Sequence, residues 1–292
     1  MSLLNDFAHV SKALPCPVCA KPDWCLVDRL NPNDPPRAIC ARIESSTRWG
    51  DAGWYHQFRQ EAHRPHTYQS QTKSIRLADD RNRKLSRLVK QSLARVTNLT
   101  RDSLAKELRV TAASLEALVV GRLHNAWSFP MSNATGEVIG IRLRYPEGRK
   151  LCVRGSSQGL FLPAQIAEES VLWICEGPTD TAALLSLELP AVGRPNCQGG
   201  TRLLVELTRR RRPRKIVLVA DRDKPGMEGA NRLASTLVAV CPDVRIIIPP
   251  IGVKDAREWV ASGAKRGTLI AAANDAIPHK ATLSRPNLGG PR

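Results

Sequence analysis

The sequence predicts an α/β protein made of three parts: a small cysteine-rich module, a basic subdomain of helices and a small sheet, and a larger unit with a mostly parallel sheet. Three patterns carry this prediction. Four cysteines lie within residues 16–40, polar and apolar residues alternate after residue 138, and unbroken apolar runs alternate with helical patterns after residue 171. A period of two is typical of strands, and unbroken apolar runs are typical of strands buried on both faces.

Composition divides the chain into five segments. The polar stretch FRQEAHRPHTYQSQTKS has no apolar periodicity, which is typical of a linker, and the basic Pro/Gly-rich end predicts a disordered tail. The predicted segments are a cysteine module over 1–57, a linker over 58–80, a basic helical and β subdomain over 81–163, a Rossmann-like α/β domain over 164–275 and a tail over 276–292.

The charge of the chain indicates a polyanionic partner. Its 292 residues include 44 Lys+Arg against 27 Asp+Glu, a formal net charge of +17. Neutralising phosphates releases counterions, so this excess favours nucleic acid. An anionic membrane surface is the alternative partner. However, no apolar stretch is long enough to span a membrane, and the start, MSLLNDFAHV, does not resemble a signal peptide. We therefore expect a cytoplasmic protein without a membrane partner, whose cysteines stay reduced unless a metal holds them.

The clustered cysteines predict a structural zinc site in a zinc-ribbon-like module. Cys16 and Cys19 place two thiolates on one tight turn, and Cys25 and Cys40 would complete a set of four soft ligands. Four protein ligands leave no open position for a substrate, so the ion would be structural. Because Cys25 lies close to the first pair, His56 is an alternative fourth ligand.

Helical patterns follow the linker. Apolar residues repeat at helical spacing at Leu85, Leu88, Val89, Leu93 and Val96. Two shorter patterns come next, and we expect Thr100 and Thr111 to cap them. The pair could form a DNA-reading helix-turn-helix, but its second helix offers no basic residue. We therefore expect the pair to be a packing element.

A basic sheet is predicted between residues 138 and 154. Ile141 and Leu143 alternate with arginines, and after the turn PEG the return strand alternates in the same way. One face would be apolar, and the other would carry Arg142, Arg144, Lys150 and Arg154. That basic face is either an ordinary solvated surface or a track for a nucleic-acid backbone, and the pattern leaves both open.

The C-terminal unit is predicted from the apolar runs VLWIC, KIVLVA and VRIII and from helical patterns at 179–188, 200–210 and 226–240. Glu176 follows the first run directly, and Asp221 and Asp223 follow the second. The carboxyl ends of parallel strands form the ligand crevice of open α/β sheets. Three carboxylates meeting there favour Mg²⁺ or Mn²⁺, which stabilise charge in phosphoryl transfer. Capping a helix or binding solvent is the alternative for isolated acids.

The stretches ICEGPTDTAALL and LVADRDKPGMEGA resemble the Toprim fold shared by bacterial-type primases, type IA and type II topoisomerases and some nucleases. The resemblance covers residues 171–262. It implies that Glu176 acts as general acid/base and that Asp221 and Asp223 carry the metal. The supporting positions that match the family are Gly177, Asp180, Gly226, Lys254 and Asp255.

The order of the parts resembles that of bacterial and phage-type primases, with a zinc module first, a basic segment next and the Toprim unit last. The resemblance implies a DNA-directed RNA polymerase that makes short RNA primers on single-stranded DNA from nucleoside triphosphates during replication. It also implies that the residues of the basic face contact template or nucleotide. The sequence has no G-x-x-x-x-G-K-[ST] loop, so we expect a separate replicative helicase as partner.

Two other functions would use the same residues. A metal-dependent Toprim nuclease needs the same three acids, and a non-catalytic protein with zinc and Toprim parts would only bind DNA. A type IA topoisomerase is disfavoured because it needs a tyrosine nucleophile in an additional domain. The tyrosines of this chain, Tyr55, Tyr68 and Tyr145, all precede the Toprim stretch.

Overall fold

In the part of the chain that the structure describes, three four-stranded sheets and eight helices are present. The computed structural model describes residues 6–49, 52–58, 69–166 and 170–280. The chain divides into two units, residues 1–73 and residues 74–292. None of the helices within these described ranges has the length and apolar character that crossing a membrane requires.

The first unit contains an antiparallel sheet whose strands follow one another in sequence order. Its strands are β1 (Phe7–His9), β2 (Leu26–Asp28), β3 (Arg37–Cys40) and β4 (Trp54–Gln57). Val27 and Ala38 pair across β2 and β3 and are fully buried. This register sets Cys25, just before β2, beside Cys40 at the end of β3.

Three helices follow this sheet along the chain. They are α1 (Gln69–Leu93), α2 (Asn98–Leu108) and α3 (Ala112–Ala117). Because α1 begins at Gln69, the second part of the stretch predicted as a linker is helical. Leu85 and Val89, two of the residues that predicted this helix, are buried, whereas Val96 lies beyond its end.

The caps of the two shorter helices are threonines, and one of them differs from the prediction. Thr97 is the N-cap of α2: its side chain accepts a hydrogen bond from Thr100 N at 3.2 Å, and Thr100 Oγ1 accepts one from Thr97 N at 2.9 Å. The assignment of Thr100 as the cap was wrong because α2 starts earlier and Thr100 takes the third helical position of a capping box. Thr111 caps α3 as predicted.

The helices α2 and α3 pack in the interior of the second unit. Leu104 and Leu108 of α2 are buried together with Leu115 of α3 and with Leu118, which follows α3, against Phe129. The pair is therefore a packing element, as the lack of basic residues on α3 indicates.

The antiparallel sheet of the second unit is the basic sheet expected from the sequence. Its strands are β5 (Gly121–Leu123), β6 (Ala126–Ser132), β7 (Val138–Arg144) and β8 (Lys150–Cys152), in that order. Leu85 and Val89 of α1 pack with Ile141 and Leu143 of β7. Because side chains alternate along a strand, the arginines of β7 lie on the face away from α1.

The second sheet of this unit is parallel, with strand order β10-β9-β11-β12. Its strands are β9 (Val171–Glu176), β10 (Ala191–Arg194), β11 (Lys215–Val219) and β12 (Asp243–Ile247). The helices are α4 (Gly177–Ser186), α5 (Thr201–Arg211), α6 (Lys224–Leu237), α7 (Ala256–Ala261) and α8 (Arg266–Asp275). The three predicted strands and the three predicted helices are present. The strand β10 was missed because AVGR is short and contains a glycine, so it does not form an apolar run.

Helices cover both faces of the parallel sheet. Ile174 and Leu218 pack against α5 and α6, whereas Trp173 and Val217 pack against α4, α7 and α8. Neighbouring residues of a strand point to opposite faces, so two covered faces require apolar residues at consecutive positions. This is why the sequence shows unbroken apolar runs here and alternation in β7.

Short backbone pairings join the two sheets of the second unit. Ser132, at the end of β6, exchanges two hydrogen bonds with Leu160, both 2.8 Å long. Phe161 exchanges two with Gly193 of β10, at 2.8 and 2.9 Å. Residues 160–161 therefore tie the antiparallel sheet to the edge of the parallel sheet.

The first residues of the segment predicted as a disordered tail, 276–280, are ordered. Pro278 bridges to Arg245 of β12, and His279 N donates a hydrogen bond to Val244 O at 2.7 Å. Residues 276–280 therefore continue the ordered unit, because they find backbone partners on an edge strand. The rest of the predicted tail, 281–292, lies outside the described residues.

Candidate active site

Glu176 ends β9 and leads directly into α4. Gly177 has a φ of +73°, a conformation that residues with side chains rarely adopt, which explains the glycine at this position. Pro178 and Asp180 lie in the first turn of α4, where a fixed φ and a negative charge both favour a helix start. The segment turns the chain sharply and leaves both acids at the carboxyl edge of the parallel sheet.

Asp221 and Asp223 lie in the connection from β11 to α6. Asp223 is the N-cap of α6, and its Oδ1 accepts a hydrogen bond from Gly226 N at 2.8 Å. A Cβ on Gly226 would lie 2.8 Å from both the Cβ and the carbonyl oxygen of Asp221. Only glycine lets α6 approach this connection so closely.

A cavity of about 270 Å³ lies at this carboxyl edge and collects most of the predicted site residues. Its wall combines acids that follow β9 and β11, residues just before and in α7, and basic residues of β7 and β8. The charged residues that line it are Arg142, Arg144, Lys150, Glu176, Asp180, Asp221, Lys254, Asp255 and Arg257. Asp223, Arg154 and Gly226 are not among the lining residues.

Burial and mutual repulsion perturb two of these acids. Burial raises the pKa of Asp180 to about 8, and the charges of Asp255 and Asp221 add to the rise, against a hydrogen bond from Arg257 N to Asp180 Oδ1 of 2.9 Å. Burial also raises the pKa of Asp221 to about 7, together with the charges of Glu176 and Asp255. Crowded carboxylates with raised pKa values favour the binding of a cation among them.

We expect Asp180→Asn to stabilise the protein at alkaline pH in buffer without Mg²⁺ or Mn²⁺. The pKa of Asp180 is raised from 3.8 to about 8 in the folded state, so between these values the folded protein holds a proton that the unfolded chain has lost. Stability therefore falls as the pH rises through this window. The asparagine keeps an oxygen for Arg257 N but carries no charge.

Thermal melting from about pH 5 to about pH 9 measures this effect. The melting temperature of the native chain should fall across the range, and that of the Asp180→Asn variant should fall less. Asp102→Asn, at an exposed position of α2, serves as the matched control and should follow the native chain. If the melting temperatures of the native chain and of the Asp180→Asn variant depended equally on pH, the interpretation that Asp180 has a raised pKa in the folded protein would be contradicted.

The two arginines of β7 are engaged with protein groups. Arg142 Nη1 donates a hydrogen bond to Pro195 O at 2.9 Å, and its guanidinium lies 5.4 Å from the centre of the Phe161 ring. Arg144 Nη2 donates to Glu107 Oε1 at 3.1 Å. Both side chains thus stabilise the cavity wall as well as adding positive charge to it.

The other cationic side chains of the cavity wall make fewer contacts with protein groups than Arg142 and Arg144. Lys150 on β8 and Lys254 before α7 are exposed, and neither side chain forms a hydrogen bond or a salt bridge among the described residues. The charge of Lys254 lowers the pKa of Asp221. Arg257 lies in the first turns of α7, and its charge lowers the pKa of Asp180. Arg154, by contrast, lies in a turn beyond the end of β8. Lys150, Lys254 and Arg257 are therefore the cations best placed to meet an anionic ligand.

Arg194 and Arg257 belong to the site but were not expected from the sequence. Arg194 Nη2 donates to Glu176 Oε1 at 2.6 Å, and its side chain is only 4 % exposed. A charged residue that directly ends the short apolar stretch AVG is a signal of the same kind as the acids that end β9 and β11. Arg257 lies two residues after Asp255, within the matched segment, and its position offered no separate signal.

The oxygen donors of the cavity fit a hard divalent cation. Glu176, Asp180, Asp221 and Asp255 supply carboxylates. The raised pKa values of Asp180 and Asp221 indicate that negative charge at these two acids is incompletely offset by the protein. The carboxylate oxygens do not form a tight cluster of three or more within the described ranges. A small number of protein ligands is usual for Mg²⁺, which keeps water and substrate oxygens as its other ligands.

The four cysteines of the first unit meet as predicted. The Sγ atoms of Cys16, Cys19, Cys25 and Cys40 all lie within 4.8 Å of one another. Contacts of 3.7 Å between Cys19 and Cys25 and of 3.9 Å between Cys25 and Cys40 match the S–S spacing of about 3.8 Å that four tetrahedral bonds of about 2.3 Å require. This geometry can hold a zinc ion.

The surroundings of the sulfurs also fit zinc. Ala41 N donates to Cys25 Sγ at 3.4 Å, and Ile43 N donates to Cys40 Sγ at 3.3 Å, which favours thiolates. Burial raises the pKa of Cys25 to about 12, so a cation is needed to keep this thiolate. His56 Nε2 lies 3.0 Å from Ile43 O and is not part of the cluster, so Cys25 takes the place for which His56 was the alternative.

Comparison with known proteins identifies the fold. No protein-family model and no curated protein match the sequence. The solved structures that match include the Escherichia coli primase catalytic core (TM-score 0.53, 16 % identity, covering 68 % of this chain and 80 % of that one). The DnaG primase catalytic domain bound to single-stranded DNA matches with a TM-score of 0.54, 16 % identity and coverage of 68 % and 79 %.

The RNA polymerase domain of the Mycobacterium tuberculosis primase DnaG matches with a TM-score of 0.51, 16 % identity and coverage of 68 % and 83 %. At these identities the comparisons establish a fold and not an activity. The fold is that of a DNA primase catalytic core, in agreement with the α/β architecture expected from the sequence.

Proposed function

We propose that the protein is a primase-type nucleotidyltransferase, a DNA-directed RNA polymerase that makes short RNA primers on single-stranded DNA during replication. The observation that carries the proposal is the cavity in which acids from the ends of β9 and β11 face basic residues of β7 and β8. Fold similarity to DNA primase catalytic cores, one of them bound to single-stranded DNA, supports it.

The carboxylates of the cavity would hold Mg²⁺ or Mn²⁺. Glu176, Asp180, Asp221 and Asp255 are the candidates, and Asp223 sits beside them as the cap of α6. When bound, such an ion supplies charge stabilisation for the attacking hydroxyl and for the leaving pyrophosphate. In this proposal the Toprim-like acids are therefore the catalytic set.

The cations of the cavity would bind the substrates. Lys150, Lys254 and Arg257 would contact the phosphates of a nucleoside triphosphate or of the template, because phosphate oxygens favour cationic donors. Arg142 and Arg144 would shape the wall behind them through their contacts with Pro195 O and Glu107. Arg154, which lies outside the cavity lining, would meet only a longer stretch of nucleic acid.

The first unit would bind template DNA, with its zinc ion holding the fold. The formal net charge of +17 of the whole chain supports contact with a polyanion. A replicative helicase would act as a partner and unwind the duplex.

The test is nucleotide incorporation on circular single-stranded DNA, with labelled ribonucleotides and with Mg²⁺ or Mn²⁺. We expect short RNA products that need the divalent ion. The second candidate function is a metal-dependent nuclease, which the same acids favour. Metal-dependent linearisation of the circle without incorporation would identify a nuclease and refute primer synthesis. Binding of the circle with neither reaction, in the presence of a replicative helicase, would leave a DNA-binding function.

A further inference from the structure

Arg194 lies beside Glu176 because of the strand order. The two residues end neighbouring parallel strands, β10 and β9, and are direct partners in the register between them. An arginine at the end of a strand usually extends into solvent, but this side chain is 4 % exposed. A guanidinium buried to this extent needs hydrogen-bond acceptors or an opposite charge within the protein.

The guanidinium of Arg194 contacts three different elements. Nη2 donates to Glu176 Oε1 at 2.6 Å, and Nη1 donates to Cys197 O at 2.9 Å and to Gly229 O at 3.2 Å. These acceptors lie at the end of β9, in the connection after β10 and on α6. A planar guanidinium whose Nη1 and Nη2 atoms both donate hydrogen bonds has little freedom to rotate. It therefore fixes the position of the carboxylate oxygen that it binds.

The bond to Arg194 gives the two oxygens of Glu176 different roles. Oε1 is committed to the guanidinium, whereas Oε2 accepts no hydrogen bond from the part of the chain that the structure describes. The side chain of Glu176 lines the cavity and is 14 % exposed. One oxygen is thus anchored in the protein, and the other is available to a ligand in the cavity.

We propose that Arg194 is a positioning residue, which anchors Glu176 through Oε1 so that Oε2 is presented to the divalent cation of the cavity. This assignment rests on the proposed function, because it takes that cation as the partner of Glu176. Groups that orient a metal ligand typically contribute 10- to 100-fold, roughly, to metal affinity.

A second arginine, half-buried on β12, provides the matched control. Arg245 on β12 donates to Asp243 Oδ1 at 2.8 Å and to the carbonyl oxygens of Ala273, Asn274 and Ala276. Like Arg194, Arg245 binds one carboxylate and several backbone acceptors, but its carboxylate partner, Asp243, does not line the cavity. Loss of either arginine should lower stability, and only loss of Arg194 should affect the cation.

The experiment is titration of the full-length, zinc-loaded chain with Mn²⁺, followed by electron paramagnetic resonance of the free ion. We expect Arg194→Met to weaken Mn²⁺ binding by about tenfold or more. Arg194→Lys should have a smaller effect, because an ammonium group keeps the charge but cannot span the same acceptors. Arg245→Met should bind Mn²⁺ within about twofold of the native chain, and thermal melting reports on folding for all variants.

A double-mutant cycle separates positioning from a general structural effect. If Arg194 acts through Glu176, then Arg194→Met should cost little further Mn²⁺ affinity on the Glu176→Gln background. A full additional loss on that background would overturn the proposal, as would Mn²⁺ binding by Arg194→Lys and Arg194→Met that equals the native chain. If Arg194→Met does not fold, Arg194→Lys takes its place in the cycle. The loss of Mn²⁺ affinity that Arg194→Lys causes in the native chain is then compared with the loss that it causes on the Glu176→Gln background.

Primer synthesis plays no part in this titration, so the two proposals fail separately. A chain whose Mn²⁺ affinity depends on Arg194 through Glu176 but which makes no primers would refute the proposed function and support the role of Arg194. A chain that makes primers while Arg194→Met binds Mn²⁺ normally would overturn the role of Arg194 alone.

Discussion

Asp221→Asn combined with Asp223→Asn is expected to reduce primer synthesis by about 100-fold or more while leaving the fold intact. Outer partners of metal ligands already contribute roughly 10- to 100-fold, so the loss of the ligands themselves should cost at least as much. Asparagine is a good N-cap, so position 223 can still accept the hydrogen bond from Gly226 N that starts α6. The measurement is incorporation of labelled ribonucleotides on circular single-stranded DNA.

The design separates lost chemistry from lost structure. The melting temperature without Mg²⁺ should not fall, because removing the Asp221 charge relieves repulsion in the cavity. The exposed Asp102→Asn variant should synthesise primers at the native rate. Residual synthesis above about a tenth of the native rate would show that these acids are not the catalytic set.

Cys40→Ser is expected to release zinc and to unfold the described part of the first unit. Structural zinc contributes roughly 10 to 16 kcal/mol in small zinc peptides, far more than the few buried apolar residues of this small sheet can replace. The sheet strand β3 ends at Cys40, whose Sγ accepts hydrogen bonds from Arg42 N and Ile43 N at 3.4 and 3.3 Å. Losing this ligand therefore removes both the ion and the anchor of the following turn.

Metal analysis and limited proteolysis measure this outcome. The native chain should carry one zinc ion per molecule, and the variant should carry none and be cleaved within residues 6–58. Fragments that cover the parallel sheet should persist in both. Cys152→Ser is the control, because this thiol is exposed on β8 and far along the chain from the cluster. Retention of zinc by Cys40→Ser would indicate another ligand set.

The parallel sheet and its acids could be predicted because each signal is local in the sequence. An apolar run, a following acid and a nearby glycine all lie within about a dozen residues, as in the segment around Asp221. The zinc ligands are similar, since Cys16 and Cys19 share one turn. The helix caps were less certain, because Thr97 and Thr100 both suit a helix start and only the backbone decides which of them takes the cap.

Features that depend on contacts between distant segments could not be predicted. The strand β10 has too few apolar residues to stand out, and it forms because β9 offers it a partner edge. The contact of Arg194 with Glu176 follows from that pairing and has no pattern of its own. The commitment of Arg142 to Pro195 O likewise joins residues more than 50 positions apart.

The backbone pairings of residues 160–161 have a consequence for how a product leaves the cavity. They make the wall with the basic side chains and the edge with the carboxylates one continuous hydrogen-bonded surface. Separating the walls would break four backbone hydrogen bonds at a net cost of about 1 kcal/mol each, or about 4 kcal/mol, which allows roughly one open molecule in a thousand. In the proposed function, a growing primer and its template would therefore leave through the opening of the cavity. Their release would not require the two sheets to separate.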